Sequence, residues 1–245
     1  MLEGKTALVT GATKRIGRAI AHALTENHVN VIVHYCTAAD NEVEETITSI
    51  KVPGVKIWKY HSDFSNIDNV DELFDKIQST IGTVDFLINN ASVFPSSTLT
   101  GLSIQELNQT LTINSIAPFR LSQHMANQKQ EGCIINILDS RIRQYDMSHG
   151  AYQLGKNMLY HITEMMALEF APNIRVNGIA PGLILPPKEK DEVYLKQQYN
   201  RNLFNRSGKL SDITDAVIFL LTNTFITGDV MFIDGGQSLK GISYE

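Results

Sequence analysis

Tyr152 and Lys156 are spaced so that they could act together in proton transfer. Side chains four residues apart on a helix project from the same face, so this phenol and this ammonium can lie side by side. A neighbouring ammonium favours the phenolate and brings a tyrosine, whose pKa is ordinarily about 10, closer to proton exchange at neutral pH. Such pairs are also common on helix surfaces. The spacing alone therefore does not separate a catalytic pair from a surface pair.

A glycine turn near the amino terminus indicates an anion site. Residues 10–17 read TGATKRIG, between an apolar run and a helix-period segment. Gly11 permits a tight turn and Gly17 lets helix and strand approach, so that amides at the helix start can face a pyrophosphate. Lys14 and Arg15 lie at the positive end of the helix dipole, which is unfavourable unless an anion lies between them. We expect dinucleotide phosphates there, and the alternative is two solvated surface cations.

The end of the second predicted strand bears on which nicotinamide dinucleotide binds. Sites for NAD usually place a carboxylate there for the ribose 2′-hydroxyl, whereas residues 34–37 read HYCT. Nothing in this stretch repels a 2′-phosphate, which Arg15, Lys14 and the Thr37 hydroxyl can bind. Asp40 comes later, where helix capping or the helix dipole explains it. We therefore predict NADPH.

Two further strand ends fit a cofactor. Asp63 follows the third predicted strand, where it can meet an adenine amino group or simply close a turn. Asn90, Ala91 and Ser92 follow the fourth, and such small residues allow a backbone to pass close to a ligand. Both stretches belong to the predicted dinucleotide site.

Short apolar, β-branched runs alternate with helix-period segments along the chain. The strands and helices that this alternation predicts must position the candidate catalytic and cofactor-binding residues. The predicted strands are residues 6–10, 29–34, 55–61, 86–89, 133–138, 175–180 and 230–233. Strands separated by helices pair in parallel through right-handed crossovers, and runs without polar alternation are buried on both faces. We predict an α/β fold, a doubly wound (Rossmann) parallel sheet of about seven strands with helices on both faces, forming one domain over residues 1–245.

The segment 183–208 breaks this rhythm with a Pro-Pro pair and a run of charged residues. A long insert after a strand of an open α/β sheet is well placed to cover a ligand. We expect a substrate lid there. A solvated surface helix without such a role is the alternative.

Composition excludes several functional classes. The 245 residues, of which 43% are hydrophobic, are enough to build a substantial core. With 21 Lys plus Arg against 26 Asp plus Glu, the formal charge of −5 gives no attraction to nucleic acid or anionic lipid. The longest apolar run, residues 216–221, is too short to span a bilayer, and no signal peptide is recognisable. We expect a cytoplasmic protein.

The two cysteines, Cys36 and Cys133, have no companion at metal-ligand spacing, so no metal site is predicted. Two isolated thiols in a chain with an adequate core are typical of reduced residues in an intracellular protein. A single disulfide is the alternative.

A series of motifs resembles the short-chain dehydrogenase/reductase family, in order and over nearly the whole chain. They are the turn at 10–17, Asn89-Asn90-Ala91, Asn114, Tyr152 with Lys156, Arg175-Val176-Asn177 leading to Pro181-Gly182, Thr227-Gly228 and Asp234-Gly235-Gly236. The resemblance implies that Tyr152 donates the proton and that Lys156 orients the nicotinamide ribose and lowers the tyrosine pKa. It also implies that Asn114 holds a water in the proton relay and that the enzyme is a homotetramer.

The departures from the family pattern indicate which subgroup of the family the chain resembles. The family's catalytic serine lies 13 residues before the tyrosine, and that position is Asp139 here. Ser140 is one position out of register and is expected to point elsewhere. This change, with Arg15 for a middle glycine, Ser92 for another glycine, the His34-Tyr35 pair and Phe94, resembles the pteridine and dihydromonapterin reductases. The run at residues 180–185, APGLIL, is similar to one in the latter enzymes.

An aspartate at this position suits a pterin better than a ketone. A hydroxyl stabilises a developing alkoxide, which a carboxylate repels. A dihydropterin presents ring nitrogens and N–H groups, so Asp139 can accept a hydrogen bond or, if burial raises its pKa, deliver a proton. Phe94 is expected to stack on the ring or to pack in its loop. Arg141 and Arg143 are expected to contact a substrate tail, and the alternative is that both are solvated surface residues.

The sequence therefore predicts an NADPH-dependent reductase of a dihydropterin of the dihydromonapterin or dihydrobiopterin type, or of dihydrofolate. The alternatives are a carbonyl reductase such as a 3-oxoacyl thioester reductase, and an inactive dinucleotide-binding protein. The expected catalytic residues are Asp139, Tyr152, Lys156 and Asn114. Expected cofactor contacts are Gly11, Lys14, Arg15, Ile16, Gly17, His34, Tyr35, Thr37, Asp63, Phe64, Asn90, Ala91, Ser92, Tyr152, Lys156, Pro181, Gly182 and Leu183. Expected substrate contacts are Arg15, Ser92, Phe94, Asp139 and Tyr152.

Overall fold

Seven parallel strands form the centre of the protein. The computed structural model describes residues 2–187 and 190–240. Its strands are β1 Thr6–Val9, β2 Asn30–Tyr35, β3 Ile57–His61, β4 Phe86–Asn89, β5 Gly132–Ile137, β6 Ile174–Pro181 and β7 Val230–Ile233. They lie in the order β3-β2-β1-β4-β5-β6-β7, and every pairing is parallel. The predicted doubly wound α/β sheet is confirmed.

Helices cover both faces of this sheet. They are α1 Arg15–Glu26, α2 Asp40–Ser49, α3 Asp68–Thr80, α4 Ile104–Leu111, α5 Ala117–Asn127, α6 Gly150–Phe170, α7 Glu192–Gln197 and α8 Leu210–Thr222, with a π-helical turn, Thr112–Ile116, between α4 and α5. Neighbouring strand residues serve opposite layers: Ala7 and Val9 pack with α1 and α8, whereas Leu8 packs with α3 and α5. Because both faces are buried, the strands are apolar without alternation.

The functional edge of the sheet lies beyond the carboxyl ends of β1 and β4. These neighbouring strands are consecutive in space but not in sequence, so their loops diverge and leave a crevice, the usual ligand position in such folds. The loops after β4 and β5 are joined there, because the Ser97 amide donates to the Ser148 carbonyl and the Gly150 amide donates to the Ser97 carbonyl. Two loops from separate strands thus form one wall.

Other sequence expectations fall on the remaining segments. The predicted lid, 183–208, contains α7 and follows β6, except that residues 188 and 189 lie outside the described part. Its action as a lid stays a prediction. Cys36 and Cys133 are free thiols, as predicted, and Cys133 is buried. Within the described ranges, no helix has the length and apolar character needed to cross a membrane.

Close packing at Gly17 brings α1 against the ends of β1 and β4. A Cβ added to Gly17 would lie 2.2 Å from the Gly11 carbonyl oxygen and 2.5 Å from Asn90 Nδ2. We expect Gly17→Ala to lower the free energy of unfolding by about 1–3 kcal/mol, because the Gly11 backbone and the hydrogen-bonded Asn90 side chain must move. Urea denaturation measures this change.

The matched control is Gly101→Ala, where the nearest atom to an added Cβ is the Thr98 hydroxyl at 3.2 Å. This variant should unfold close to the wild type. Equal stability of Gly17→Ala and wild type would contradict the packing argument.

Candidate active site and cofactor cradle

A cavity of about 550 Å³ opens at the carboxyl ends of β1, β2 and β4. The predicted cofactor residues that line it are Gly11, Lys14, Arg15, Ile16, Gly17, His34, Tyr35, Thr37, Asp63, Phe64, Asn90, Ala91 and Ser92. Tyr152, Lys156 and residues 181–183 are not among its lining. Those five remain predictions for the part of a cofactor that extends beyond this cavity.

Eight lining residues were missed by the sequence reasoning. They are Thr13, Cys36, Ala38, Ser62, Ser65, Val93, Gln109 and Ile113. Most of them neighbour a predicted residue along the chain, so the signal for them was adjacency to a strand end. Gln109 and Ile113 belong to α4 and the π-helical turn, which reach the cavity only through tertiary packing.

The floor of the cavity has the shape that a pyrophosphate requires. Gly11 has a φ of +62°, and a Cβ there would lie 3.0 Å from the Ala91 Cα atom. The Thr10 hydroxyl oxygen accepts hydrogen bonds from the amides of Asn90 and Ala91, both at 2.9 Å. The backbone after β4 therefore comes close to Gly11 and to the α1 amino terminus, held there by the Thr10 hydroxyl, and these residues fit a nicotinamide dinucleotide.

The two predicted cations differ in their surroundings. Lys14 forms an ion pair with Glu42 at 2.8 Å, and both side chains are well exposed. Arg15 has a φ of +53°, the left-handed region in which a glycine is ordinarily found. Its Nη2 donates to the Pro186 carbonyl at 2.8 Å, which ties the phosphate loop to the predicted lid. Of the two, Arg15 is the cation without a carboxylate partner among the described residues.

His34, an expected cofactor contact that lines the cavity, also has a structural role. Its Nδ1 accepts from the Gly11 amide at 3.1 Å, and its Nε2 donates to the Ser62 carbonyl at 3.0 Å. These partners fix the neutral tautomer, and the ring stacks on Phe64 with centroids 4.1 Å apart. Burial lowers the pKa of His34 to about 4. His34 is therefore an uncharged brace between three strand ends.

Asp63 combines both sequence readings. Its carboxylate accepts a hydrogen bond from the Ser65 amide at 2.9 Å, and such a bond closes a turn. The same residue lines the cavity. Hydrogen bonds from Ser65 lower the pKa of Asp63, so it is an acceptor at neutral pH.

The catalytic pair lies on α6 as predicted, but its electrostatics differ. The Tyr152 hydroxyl donates to Asp139 Oδ2 at 2.8 Å, and Lys156 Nζ donates to the Ile137 carbonyl at 2.7 Å. Burial, followed by the charge of Asp139, raises the pKa of Tyr152 well above its ordinary value. Burial also lowers the pKa of Lys156 to about 8. The expectation of a lowered tyrosine pKa is therefore wrong, and Tyr152 is a protonated phenol.

The pKa of Asp139 is lowered, which favours the hydrogen-bond acceptor over the proton donor among its two predicted roles. Burial acts to raise the pKa of Asp139, but the hydrogen bonds and charge of Arg141 outweigh it and lower that pKa. Arg141 approaches with Nε at 3.0 Å and Nη2 at 2.8 Å, a bidentate pairing. Ser140 is buried beside them, and its hydroxyl has no hydrogen-bond partner among the described residues, so it does not replace the family serine.

Arg141 also links this carboxylate to a second one. Its Nη1 donates to Asp146 Oδ2 at 2.6 Å, and the same oxygen contacts His149 Nδ1 at 2.9 Å. Burial favours protonation of Asp146, but hydrogen bonds from Ser148 and the charges of Arg141 and His149 lower its pKa to about 2. Arg141 is therefore held by two carboxylates and is not a freely solvated side chain.

Phe94 is partly occupied by protein contacts. It stacks on His149 with centroids 3.9 Å apart and meets Tyr152 edge-on at 4.6 Å. The Arg141 guanidinium lies 4.9 Å from its centroid. His149 thus covers one face of the ring, while Phe94 remains 44% exposed, and its stacking on a substrate stays a prediction. Arg143 points away, with its guanidinium 3.9 Å from the Phe232 centroid.

The Asn114 side chain clamps a loop, and its part in a proton relay stays a prediction. It lies in the π-helical turn, fully buried. Its Oδ1 accepts from the Ser92 hydroxyl and the Val93 amide, and its Nδ2 donates to the Val93 carbonyl at 2.9 Å. The carboxamide thus fixes the loop after β4 at the cavity wall, and Ser92 is engaged there as well.

Comparison with known proteins gives matches over almost the entire chain. A family model described as enoyl-(acyl carrier protein) reductase matches residues 11–238. A 2-dehydro-3-deoxy-D-gluconate 5-dehydrogenase of Formosa agariphila is 30% identical, with 96% of this chain and 93% of the relative covered. A 3-oxoacyl-[acyl-carrier-protein] reductase, FabG, of Staphylococcus epidermidis is 31% identical, with coverage of 95% and 98%.

Among solved structures, FolM alternative dihydrofolate reductase 1 of Brucella canis, in complex with NADP, is similar over the full length. The TM-score is 0.91 at 28% identity, and the match covers 100% of this chain and 97% of that chain. Sequence and structure comparisons thus agree on the type of fold but include relatives with different substrates.

The neutral His34 generates a prediction for the pH dependence of stability. Its pKa is about 4 in the folded protein against an ordinary 6.5. Its contribution is therefore complete above pH 6.5 and is lost as the pH falls toward 4, in total roughly 3 kcal/mol. We expect His34→Gln, which keeps a donor and an acceptor but does not titrate, to flatten this part of the curve in urea denaturation.

His161→Gln is the control, because His161 is an exposed residue of α6 and should leave the slope between pH 6.5 and 4 unchanged. The same slope in His34→Gln as in the wild type would exclude His34 as its cause.

Proposed function

Because the chain belongs to the short-chain dehydrogenase/reductase family, it is a nicotinamide-dinucleotide-dependent oxidoreductase, and we propose that it is an NADPH-dependent reductase of dihydropterins. The observation that carries this proposal is the ionised Asp139 beside Tyr152, at the position of the family serine. The similarity to the FolM alternative dihydrofolate reductase of Brucella canis supports it.

The charge distribution favours reduction of a carbon–nitrogen double bond. In a ketone, a proton must reach a developing alkoxide, and a carboxylate beside the tyrosine disfavours that charge. In a dihydropterin, the proton goes to a ring nitrogen, and no alkoxide forms. Asp139 is therefore compatible with a pterin and unfavourable for a ketone.

Each residue then has a defined task. Bound NADPH would supply a hydride to a ring carbon of the dihydropterin. Tyr152, protonated at neutral pH, gives its proton to the adjacent nitrogen after its hydroxyl turns away from Asp139. Lys156, held by the Ile137 carbonyl, orients the ribose and limits the cost of the negative charge left on Tyr152. The products are a tetrahydropterin and NADP, and solvent returns the proton.

The cofactor preference rests on the loop after β1 and on the end of β2. Arg15 supplies a cation for a 2′-phosphate, and residues 34–37 contain no carboxylate. The NADP complex of the Brucella canis protein is consistent with this choice. The homotetrameric state and the cytoplasmic location stay predictions.

A 3-oxoacyl thioester reductase is the second candidate. The Staphylococcus epidermidis relative and the matching family model favour it, because both are named for acyl-carrier-protein substrates. Asp139 argues against it. An inactive dinucleotide-binding protein is disfavoured by the presence of both Tyr152 and Lys156 on one face of α6.

The substrate proposal is tested by NADPH oxidation with dihydromonapterin, dihydrobiopterin, dihydrofolate and an acetoacetyl thioester in parallel. We expect turnover of a dihydropterin, reduced by about 10²- to 10⁴-fold in Tyr152→Phe because the proton donor is lost. Asp139→Ser should lower pterin turnover and raise thioester turnover. Rapid turnover of the thioester alone by the wild type would overturn the proposal.

The cofactor proposal is tested at Arg15. Arg15→Gly keeps the left-handed backbone but removes the cation, so we expect the Kd for NADPH to rise about tenfold or more. The Kd for NADH, which lacks the phosphate, should hardly change. Fluorescence titration measures both. Arg18→Ala, an exposed cation one turn along α1, is the control, and an NADPH affinity unchanged in Arg15→Gly would contradict the assignment.

A further inference from the structure

Arg141 is held in the catalytic cluster by two carboxylates, yet it retains unused donors. Its Nε and Nη2 donate to Asp139, and its Nη1 donates to Asp146. A guanidinium carries five N–H donors. The other two are not engaged by either carboxylate, and within residues 2–187 and 190–240 the guanidinium has one further polar contact, with the Tyr152 hydroxyl.

Asp139, in contrast, has no acceptor capacity left. Its two oxygens receive hydrogen bonds from the Arg141 amide, from Nε and Nη2 of the same residue, and from the Tyr152 hydroxyl. A carboxylate offers about four acceptor positions. A substrate can bind Asp139 directly only by displacing one of these bonds, each of which is part of the catalytic arrangement.

The guanidinium lies where a substrate must approach. Its Cζ atom is 4.9 Å from the Phe94 centroid and 5.4 Å from the Tyr152 centroid. The Arg141 side chain is 26% exposed, whereas that of Asp139 is 15% exposed. A molecule that reaches the Tyr152 hydroxyl therefore meets Arg141 more readily than Asp139.

We propose that Arg141 is the substrate-recognising residue of this site and that an N–H group not engaged by Asp139 or Asp146 donates to an oxygen acceptor of the substrate. In a dihydropterin this acceptor is the ring carbonyl oxygen. The identity of the substrate rests on the proposed function, but the type of group that Arg141 recognises does not.

The surroundings hold Arg141 ready for this contact. Gln153 donates to the Arg141 carbonyl at 3.1 Å, and Asp146 is itself bound by the Ser148 amide and hydroxyl. A fork fixed before binding loses little conformational entropy when the substrate arrives. Its charge is balanced by Asp139 and Asp146, so the site offers directed donors without a large net positive charge.

The test is the Kd of the dihydropterin in complex with NADP, in which no hydride is available and binding is measured apart from chemistry. We expect Arg141→Met to raise this Kd about tenfold or more, the range for hydrogen bonds from a charged donor. The Kd for NADP itself should stay near the wild-type value. Arg141→Lys, which keeps the charge but not the fork, should give an intermediate value.

Arg143→Met is the matched control, because Arg143 lies on the same 3-10 turn, Ser140–Arg143, but packs on Phe232. It should leave the substrate Kd unchanged. Asp146→Asn loosens one anchor of Arg141 and should raise the Kd by a smaller factor. If thermal melting shows that Arg141→Met does not fold, Arg141→Lys and Asp146→Asn carry the test.

Two outcomes distinguish substrate recognition by Arg141 from an indirect role through Asp139 and from a failure of the proposed function. A fall in kcat with an unchanged substrate Kd would mean that Arg141 acts only through Asp139, which overturns the proposal. If the wild type turns over only the acetoacetyl thioester, the proposed function fails, and the same Kd series is measured with that thioester. A higher Kd in Arg141→Met then still supports recognition of an acceptor oxygen, and an unchanged Kd overturns it.

Discussion

The close contact between Gly17 and the Gly11 carbonyl sets the geometry on which the rest of the site depends. It brings the amino terminus of α1 against β1, and the Asn90 carboxamide completes the contact by donating to the Thr10 and Gly11 carbonyls at 2.8 Å and 3.1 Å. The cavity floor is therefore made of backbone from two strands and a helix. Residues far apart in sequence meet there because Gly11 and Gly17 have no side chains that would hold them apart.

Burial and pairing compete throughout the catalytic cluster, and pairing decides the charge of Asp139. A buried carboxylate is costly alone, but Arg141 supplies two side-chain hydrogen bonds and a charge, so Asp139 stays ionised. That charge, with burial, keeps the proton on Tyr152. The arrangement keeps a proton on Tyr152, which is consistent with the proposed reductase activity.

The sequence predicted most of the fold and the cofactor cradle because their signals are local. Apolar runs and helix periodicity placed the strands, and Gly11 and Gly17 indicated the backbone approach correctly. The role of His34 was missed because its partners, Gly11 and Ser62, lie at the ends of two other strands. Only the register of the assembled sheet brings them to the ring.

The catalytic cluster was harder to predict for a related reason. The spacing of the two residues placed Lys156 beside Tyr152, but it did not reveal that the Lys156 ammonium donates a hydrogen bond to the Ile137 carbonyl. Nor did it show that Asp139 and Arg141, two residues apart at a 3-10 turn, form a bidentate pair. These are competitions among several buried groups, and the distances that decide them exist only in the folded chain.

The left-handed backbone of Arg15 sets stability and ligand binding against each other. In that region a residue with a Cβ has a conformational free energy about 1 kcal/mol or more above that of glycine. The loop would be more stable with glycine, whereas the arginine adds a second cation beside Lys14 to the cavity lining. Selection for heat resistance alone would therefore favour glycine at this position, and selection for the proposed ligand would favour arginine.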